Sequence, residues 1–199
     1  IDQIKYCKPL HDLVPLRNKL VKRTVLNTVE SLISPIKGIN THSILGYVHK
    51  PYPPIYASLA DQAGFSSSLL IRGVEGGVVP SLRQKGMMIS YFKGEEKDRV
   101  DIDPKVIGIN RELRAISFPK EFEGLKNRDS LATYVAELGQ LALSGKEGMF
   151  YDGLVYSASL ILWHIGEEKT LLSASEKVRA ALDSSNVLDR INNKKKLIY

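Results

Sequence analysis

The run from residue 43 to residue 73 limits the fold more than any other part of the chain. "SILGYV" (43–48) is apolar and β-branched, "PPIYASLADQAG" (53–64) enters on proline and stops at Gly64, and "SLLIRG" (68–73) is apolar again. They read as strand, helix and strand. Two strands joined through a helix lie parallel, so this is a βαβ unit. Further strands are expected at 87–92 ("MMISYF") and 99–103 ("RVDID"), and a helix at 15–23 ("PLRNKLVKR"), where Pro15 suits a first turn.

The second half reads as helices. "RDSLATYVAELGQLALSG" spaces Leu131, Val135, Leu138 and Ala142 by three or four residues and ends at Gly145. "GLVYSASLILWHIG" is apolar on nearly all sides and is expected to lie buried against the sheet. "SASEKVRAALDSS" places Ser173 three residues before Glu176, a capping-box pattern. The expected fold class is α/β, a central mixed, largely parallel sheet flanked by helices, in one domain spanning residues 1–199.

Composition narrows the setting. The 199 residues are 43% hydrophobic and 25% charged, ordinary for a globular chain with one substantial core. Cys7 is the single cysteine, so no internal disulfide forms, and a reducing, cytoplasmic location is expected. The longest apolar stretch has 14 residues, short of the roughly 20 that cross a bilayer, so no membrane partner is expected. Ile1 and the segment after it read as if they begin within a longer protein, and a fragment is expected. The net charge of +6 is concentrated at the two ends: residues 1–50 carry eight Lys/Arg against three Asp/Glu, and residues 186–199 carry four against one. Such ends could meet phosphate-bearing partners or could be solvated faces.

Familiar catalytic patterns are missing from the sequence. His11, His42, His49 and His164 have no metal-ligand spacing, and neither HExxH nor GxSxG occurs. No metal site and no catalytic residue is assigned. "LLIRGVEGGVVPSLRQ" (69–84) is the more informative segment, an apolar strand opening into Gly73, Gly76 and Gly77 with Glu75 among them. It matches neither a Walker loop nor GxGxxG, yet a backbone could approach a ligand closely there. At 100° per residue, the 15–23 helix groups Leu16, Leu20 and Val21 on one face and Lys19, Lys22 and Arg23 on the other, with Arg17 among the apolar residues. An inward guanidinium needs a partner, either an internal carboxylate or an anionic ligand. Lys19, Lys22 and Arg23 are a solvated face or a set of phosphate contacts.

"LRNKLVKRTVLNTVESLISP" (16–35) resembles the segment of anthranilate phosphoribosyltransferases that runs Arg-Thr-Ile/Val-Phe-Asn and then Leu-Gly-Pro-Leu-x-Asn-Pro. Arg23, Thr24, Val25, Asn27, Leu32 and Pro35 match; Leu26 replaces the phenylalanine, Glu30 and Ser31 replace Gly-Pro, and Ser34 replaces the asparagine. "ILGYV" and "LLIRGVEGG" resemble the two strands and the glycine loop that follow in that family, and the likeness is closest over residues 16–82.

The resemblance implies a nucleoside phosphorylase/phosphoribosyltransferase-like fold. It also implies that this is the C-terminal portion of a chain whose N-terminal helical region, the usual dimer contact, is absent. Arg17 falls where the family holds the carboxylate of its aromatic substrate. The acidic pair that holds magnesium on the diphosphate falls at Val78 and Val79, and the family's Gly-Thr-Gly-Gly loop is not in this sequence. Valine offers no hard oxygen ligand, so no cofactor is expected, with magnesium required only if the chain is an active transferase.

A nucleic-acid-binding subgroup, whose loop reads closer to Gly-Thr-Glu-Gly-Glu, is the nearer likeness; Gly73, Glu75 and Gly76 are kept, Val74 and Gly77 depart. The expectation is a protein binding nucleic acid or another phosphate-bearing ligand. Arg17, Gly73, Glu75, Gly76 and Gly77 are its substrate-binding candidates, and Lys19, Lys22, Arg23, Lys194, Lys195 and Lys196 its backbone contacts. The alternatives are an active glycosyl or phosphoribosyl transferase with altered metal handling and a scaffold acting through protein contacts. Tyr6, Tyr47, Tyr52 and Tyr56 are scattered in sequence and show no stacking platform.

Overall fold

The computed structural model describes residues 3–20, 24–34, 38–117, 120, 128–184 and 186–195. Strand β1 (His42–Gly46), helix α5 (Tyr52–Gln62) and strand β2 (Ser67–Ile71) form the expected βαβ unit, with β1 and β2 parallel. Strands β3 (Gly86–Phe92) and β4 (Glu95–Ile102) complete a four-stranded sheet in the order β1-β2-β3-β4. The sheet is mixed as expected but not largely parallel, because β2–β3 and β3–β4 are both antiparallel. No α-helix separates β2 from β3, so the chain turns back beside β2. Between β3 and β4, Lys93 and Gly94 both take positive φ (49° and 75°), the combination of a tight hairpin turn. β4 begins four residues before its expected start because "EEKDR" is too polar to read as a strand; it lies on the sheet edge with these side chains in solvent.

Every residue of β2 is buried, and its alternation sorts the core into two layers. Leu69 and Ile71 pack with Met88, Ile102 and the helices of the second half, whereas Leu70 joins Leu45, Tyr47, Ile89, Tyr91 and Ala57 of α5. Helices therefore cover both faces.

The first layer is closed by α6 (Arg128–Leu143), α7 (Met149–His164), α8 (Leu171–Asp183) and α9 (Asn186–Lys195). α7 is the apolar helix anticipated against the sheet, with Val155, Tyr156 and Leu160 fully buried. α8 starts at Leu171, not at Ser173. Its cap is Thr170, whose Oγ1 accepts the Ser173 N–H at 3.1 Å, so the expected Ser173/Glu176 capping box is replaced by a cap one turn earlier.

Before the sheet lie short helices α1 (Gln3–Tyr6), α2 (Lys8–His11), α3 (Val14–Lys19) and α4 (Val25–Leu32). α3 is shorter than the expected 15–23 because Leu20 is already extended. Leu16 and Leu20 remain 56% and 49% exposed, so the apolar face drawn on the helical wheel is not covered by the described residues. α4 begins with Thr24, whose backbone N–H donates to Asn27 Oδ1 at 3.1 Å.

Candidate functional site

The parallel strands end side by side at Gly46 and Ile71, and the Tyr47 N–H extends the pairing to the Ile71 carbonyl at 3.0 Å. At this C-terminal end, where α/β sheets collect ligands, the loop from Gly73 to Gly77 folds back over β1. It is closed by Val74 N–H on the Val79 carbonyl (3.0 Å) and Gly77 N–H on the Val74 carbonyl (2.9 Å). Glu75 has φ 53° and Gly76 φ 79°, so a non-glycine residue is held in the left-handed region beside a glycine.

Close packing accounts for the glycines. A Cβ at Gly73 would overlap the Gly77 carbonyl, with the carbon 2.6 Å away. One at Gly46 would overlap the Gly76 carbonyl oxygen and lie 2.6 Å from the Gly77 carbon. Main chain therefore lies on main chain in this loop. Gly46 was not singled out from sequence, since a glycine late in a strand marks a close approach only once the covering segment is known.

The loop separates two cavities. The first, about 550 Å³, opens on the β2–β3 side and is bordered by Arg72, Lys85 and Arg114 together with Glu75 and Asp101. Arg114 Nη2 stands 4.0 Å from Glu75 Oε1, and Lys85 Nζ 3.7 Å from Asp103 Oδ2, both loose exposed pairs worth little. Arg72, at the end of β2, makes no ion pair among the described residues, while its backbone N–H donates to the Met87 carbonyl at 2.9 Å. The second cavity, about 540 Å³, lies between Thr24, Asn27 and Thr28 on α4 and His49, Tyr52 and Tyr56 at α5. Tyr47, Val48 and Gly76 line both.

The expected site residues divide accordingly. Gly73, Glu75 and Gly76 border the first cavity, and Gly77 closes the loop behind them. Arg17 lies elsewhere, ion-paired to Glu30 of α4, which also accepts a hydrogen bond from Gln3 Nε2 at 2.6 Å. The hydrogen bond from Arg17 holds the Glu30 carboxyl below the usual range against a smaller opposing effect of burial. Of the two partners open to Arg17 at the sequence level, the internal carboxylate is the one present. Lys19 ends α3 in solvent, and Lys194 and Lys195 end α9, with their side chains outside the described residues. Lys22, Arg23 and Lys196 lie outside the described residues altogether.

The cations at the cavity itself, Arg72, Lys85 and Arg114, were missed by sequence reasoning. Arg72 was legible in principle as the charged residue ending a buried strand; Arg114 is brought in by an irregular segment whose Arg114 carbonyl accepts the Leu82 N–H at 3.1 Å.

Val78 and Val79 are 41% and 40% exposed and carry no ligand atom. Among the described residues no group of three or more His, Cys, Asp or Glu side chains could hold a metal ion. The carboxylates that do border the first cavity are Glu75 and Asp101.

The histidines serve different ends. His49 stands at the rim of the second cavity. At the opposite end of the strands, His42 Nδ1 and Ser67 Oγ lie 2.7 Å apart, Ser67 Oγ and His164 Nε2 2.8 Å, and His164 Nδ1 and Ser90 Oγ 3.0 Å. Burial, then the nearby His42 and Lys97, push the His164 imidazole down to about 4.

No protein-family model matches the chain. It is 31% identical over 169 residues to an uncharacterised protein of Aquifex aeolicus, across 84% of this chain and 49% of that protein. It is 26% identical over 179 residues to an anthranilate phosphoribosyltransferase of Aeropyrum pernix, across 89% of this chain and 48% of the enzyme. Among solved structures, the Saccharomyces cerevisiae anthranilate phosphoribosyltransferase in complex with PRPP and Mg matches 92% of this chain and 49% of its own, with TM-score 0.66 and 19% identity. The Thermus thermophilus enzyme matches 92% of this chain and 51% of its own, with TM-score 0.58, also at 19% identity. The chain spans about half the length of the curated relatives it matches. No helix among the described residues is long and apolar enough to cross a membrane. The chain is a relative of the anthranilate phosphoribosyltransferases and shares their fold over about half of their length.

Proposed function

We propose that this phosphoribosyltransferase-like chain binds nucleic acid, as a phosphate-bearing ligand, at the cleft beside the 73–77 loop, without the magnesium chemistry of the enzymes it resembles. One observation carries the reading: Arg72, Lys85 and Arg114 border a cavity of about 550 Å³ at the C-terminal ends of the parallel strands, and the loop beside it continues into Val78 and Val79. Three cations with weak or no internal partners suit a run of phosphates. At the positions of the family's acidic pair the valines offer a magnesium diphosphate no hard oxygen donor, and the carboxylates at the cleft, Glu75 and Asp101, come from other positions. Gly73, Glu75, Gly76 and Gly77 shape the cleft, and Lys19, Lys22, Arg23, Lys194, Lys195 and Lys196 are proposed as further backbone contacts.

The test is the salt dependence of oligonucleotide binding by fluorescence anisotropy. The three cleft cations alone contribute a slope near −2 on a single strand, so a fourfold rise in salt weakens binding at least roughly 20-fold, any further contact steepening it; Arg72→Gln lowers the cleft's share to roughly 7-fold. Binding that is absent, or whose salt slope is unchanged in Arg72→Gln, sinks the proposal.

The second reading is an active glycosyl or phosphoribosyl transferase with magnesium supplied through residues beyond those described. It is favoured by the fold shared with the yeast enzyme and by the position of Arg17 in the resemblance. In that reading a substrate carboxylate must displace Glu30 from Arg17.

A further inference from the structure

The second cavity has a feature that the scattered order of its residues conceals. His49 and Tyr52 have ring centroids 5.9 Å apart, and Tyr52 and Tyr56, one helical turn apart on α5, 5.6 Å apart; the rings are tilted by 42° and 38°. All three line the same cavity, facing the hydroxyl and amide groups of Thr24, Asn27 and Thr28 across it. Tyr52 is 42% exposed, so its ring is open to a ligand in the groove. The tyrosines read as scattered in the sequence; three residues separate Tyr52 from Tyr56, and the helix brings their rings together.

We infer that this groove takes the bases of a single-stranded nucleic acid, stacked on the His49–Tyr52–Tyr56 ladder, while the strand's phosphates lie along Arg72, Lys85 and Arg114 on the other side of the loop. The inference rests on the proposed nucleic-acid function and adds the class of nucleic acid and the position of its bases. The two cavities meet at Tyr47, Val48 and Gly76, so one strand can cross from the charged cleft to the aromatic groove without leaving the surface. A duplex cannot use both, because its bases are stacked on one another and closed to the ladder. Asn27 Oδ1 is taken by the Thr24 N–H and hydroxyl of the α4 cap, so this wall of the groove leaves the Asn27 side-chain N–H groups and the Thr28 hydroxyl for base edges, which an intact duplex keeps paired. Stacking accepts any base, so selectivity for strandedness exceeds selectivity for sequence.

The experiment uses a single-stranded oligonucleotide carrying 2-aminopurine, whose fluorescence falls on stacking, and a duplex of equal length. The unaltered chain is expected to quench the probe and to bind the single strand more tightly than the duplex. Tyr52→Ala is expected to lower single-strand affinity on the order of tenfold to a hundredfold and to abolish quenching, with the salt slope unchanged; Tyr52→Phe retains both. Tyr52 is half exposed, so both variants are expected to keep the native circular dichroism. If Tyr52→Ala unfolds, Tyr56→Leu and Tyr56→Phe give the same comparison. Salt-sensitive binding of single strand and duplex with equal affinity, without quenching, overturns the stacking inference and leaves the proposed function standing. No salt-sensitive binding of either overturns both.

Discussion

Gly73→Ala should cost far more stability than Gly77→Ala, although both glycines have ordinary negative φ (−81° and −75°) that alanine adopts freely. The difference is steric. A Cβ at Gly73 overlaps the Gly77 carbonyl, while one at Gly77 meets nothing closer than the Val74 carbonyl oxygen at 3.2 Å. The clashing atoms at Gly73 are main chain and cannot rotate away, so the loop must open and stretch the Val74–Val79 and Gly77–Val74 hydrogen bonds. Two such bonds at about 1 kcal/mol each, with an overpacking cost of about 1–3 kcal/mol, give a loss of roughly 3–5 kcal/mol. Gly77→Ala gains up to about 1 kcal/mol through the unfolded chain and loses a comparable amount to the tight contact, so it stays within about 1 kcal/mol of the parent. Urea denaturation monitored by circular dichroism reads the difference. With a slope of about 2 kcal/mol/M, the Gly73→Ala midpoint should fall by about 1.5–2.5 M and the Gly77→Ala midpoint should barely move. Equal midpoints for the two variants would show that the loop is not packed on itself.

Three further outcomes follow from other parts of the structure. His164, lowered from 6.5 to about 4, binds its proton in the unfolded chain but not in the folded one between those values. Its contribution is therefore complete above about pH 6.5 and is lost as pH falls toward 4, by up to about 3 kcal/mol, and His164→Asn should flatten that part of the stability–pH curve relative to the parent. Glu30→Gln leaves the half-buried Arg17 guanidinium without its carboxylate and should cost about 1–2 kcal/mol in the same denaturation assay, whereas a surface control such as Asp12→Asn should cost less than about 0.5. Thr170→Ala removes the α8 cap and should lower stability by about 1 kcal/mol, with Thr170→Ser close to neutral; an equal loss from Ser173→Ala would restore the later helix start.

Where the sequence was a good guide, periodicity and burial agreed. β1, α5 and β2 emerge within one or two residues of their expected limits, because an apolar strand, a proline entry and a glycine stop are local signals that packing reinforces. β4 was half hidden because an edge strand keeps its side chains in water and so loses the apolar signature. Of the short helices before the sheet, α3 was expected at 15–23, whereas α1, α2 and α4 were missed since four to eight residues carry too little periodicity to register. At the site, the loop and its glycines were visible, whereas their cause, the main-chain contact from Gly46 and Gly73 to Gly76 and Gly77, depends on segments distant in sequence. The same holds for Glu30: it appeared in sequence only as a departure from Gly-Pro, and the fold turns it into the partner of Arg17.

The proposed function requires that this phosphoribosyltransferase-like fold bind the phosphates of nucleic acid at the 73–77 loop and not take magnesium diphosphate there. Titrating the chain with an oligonucleotide, and separately with phosphoribosyl pyrophosphate in the presence and absence of magnesium, at low and moderate salt tests it most directly. The expected result is oligonucleotide binding that weakens at least roughly 20-fold for a fourfold rise in salt and diphosphate binding that gains nothing from magnesium. Tight, magnesium-dependent binding of phosphoribosyl pyrophosphate without salt-sensitive binding of the oligonucleotide would contradict it.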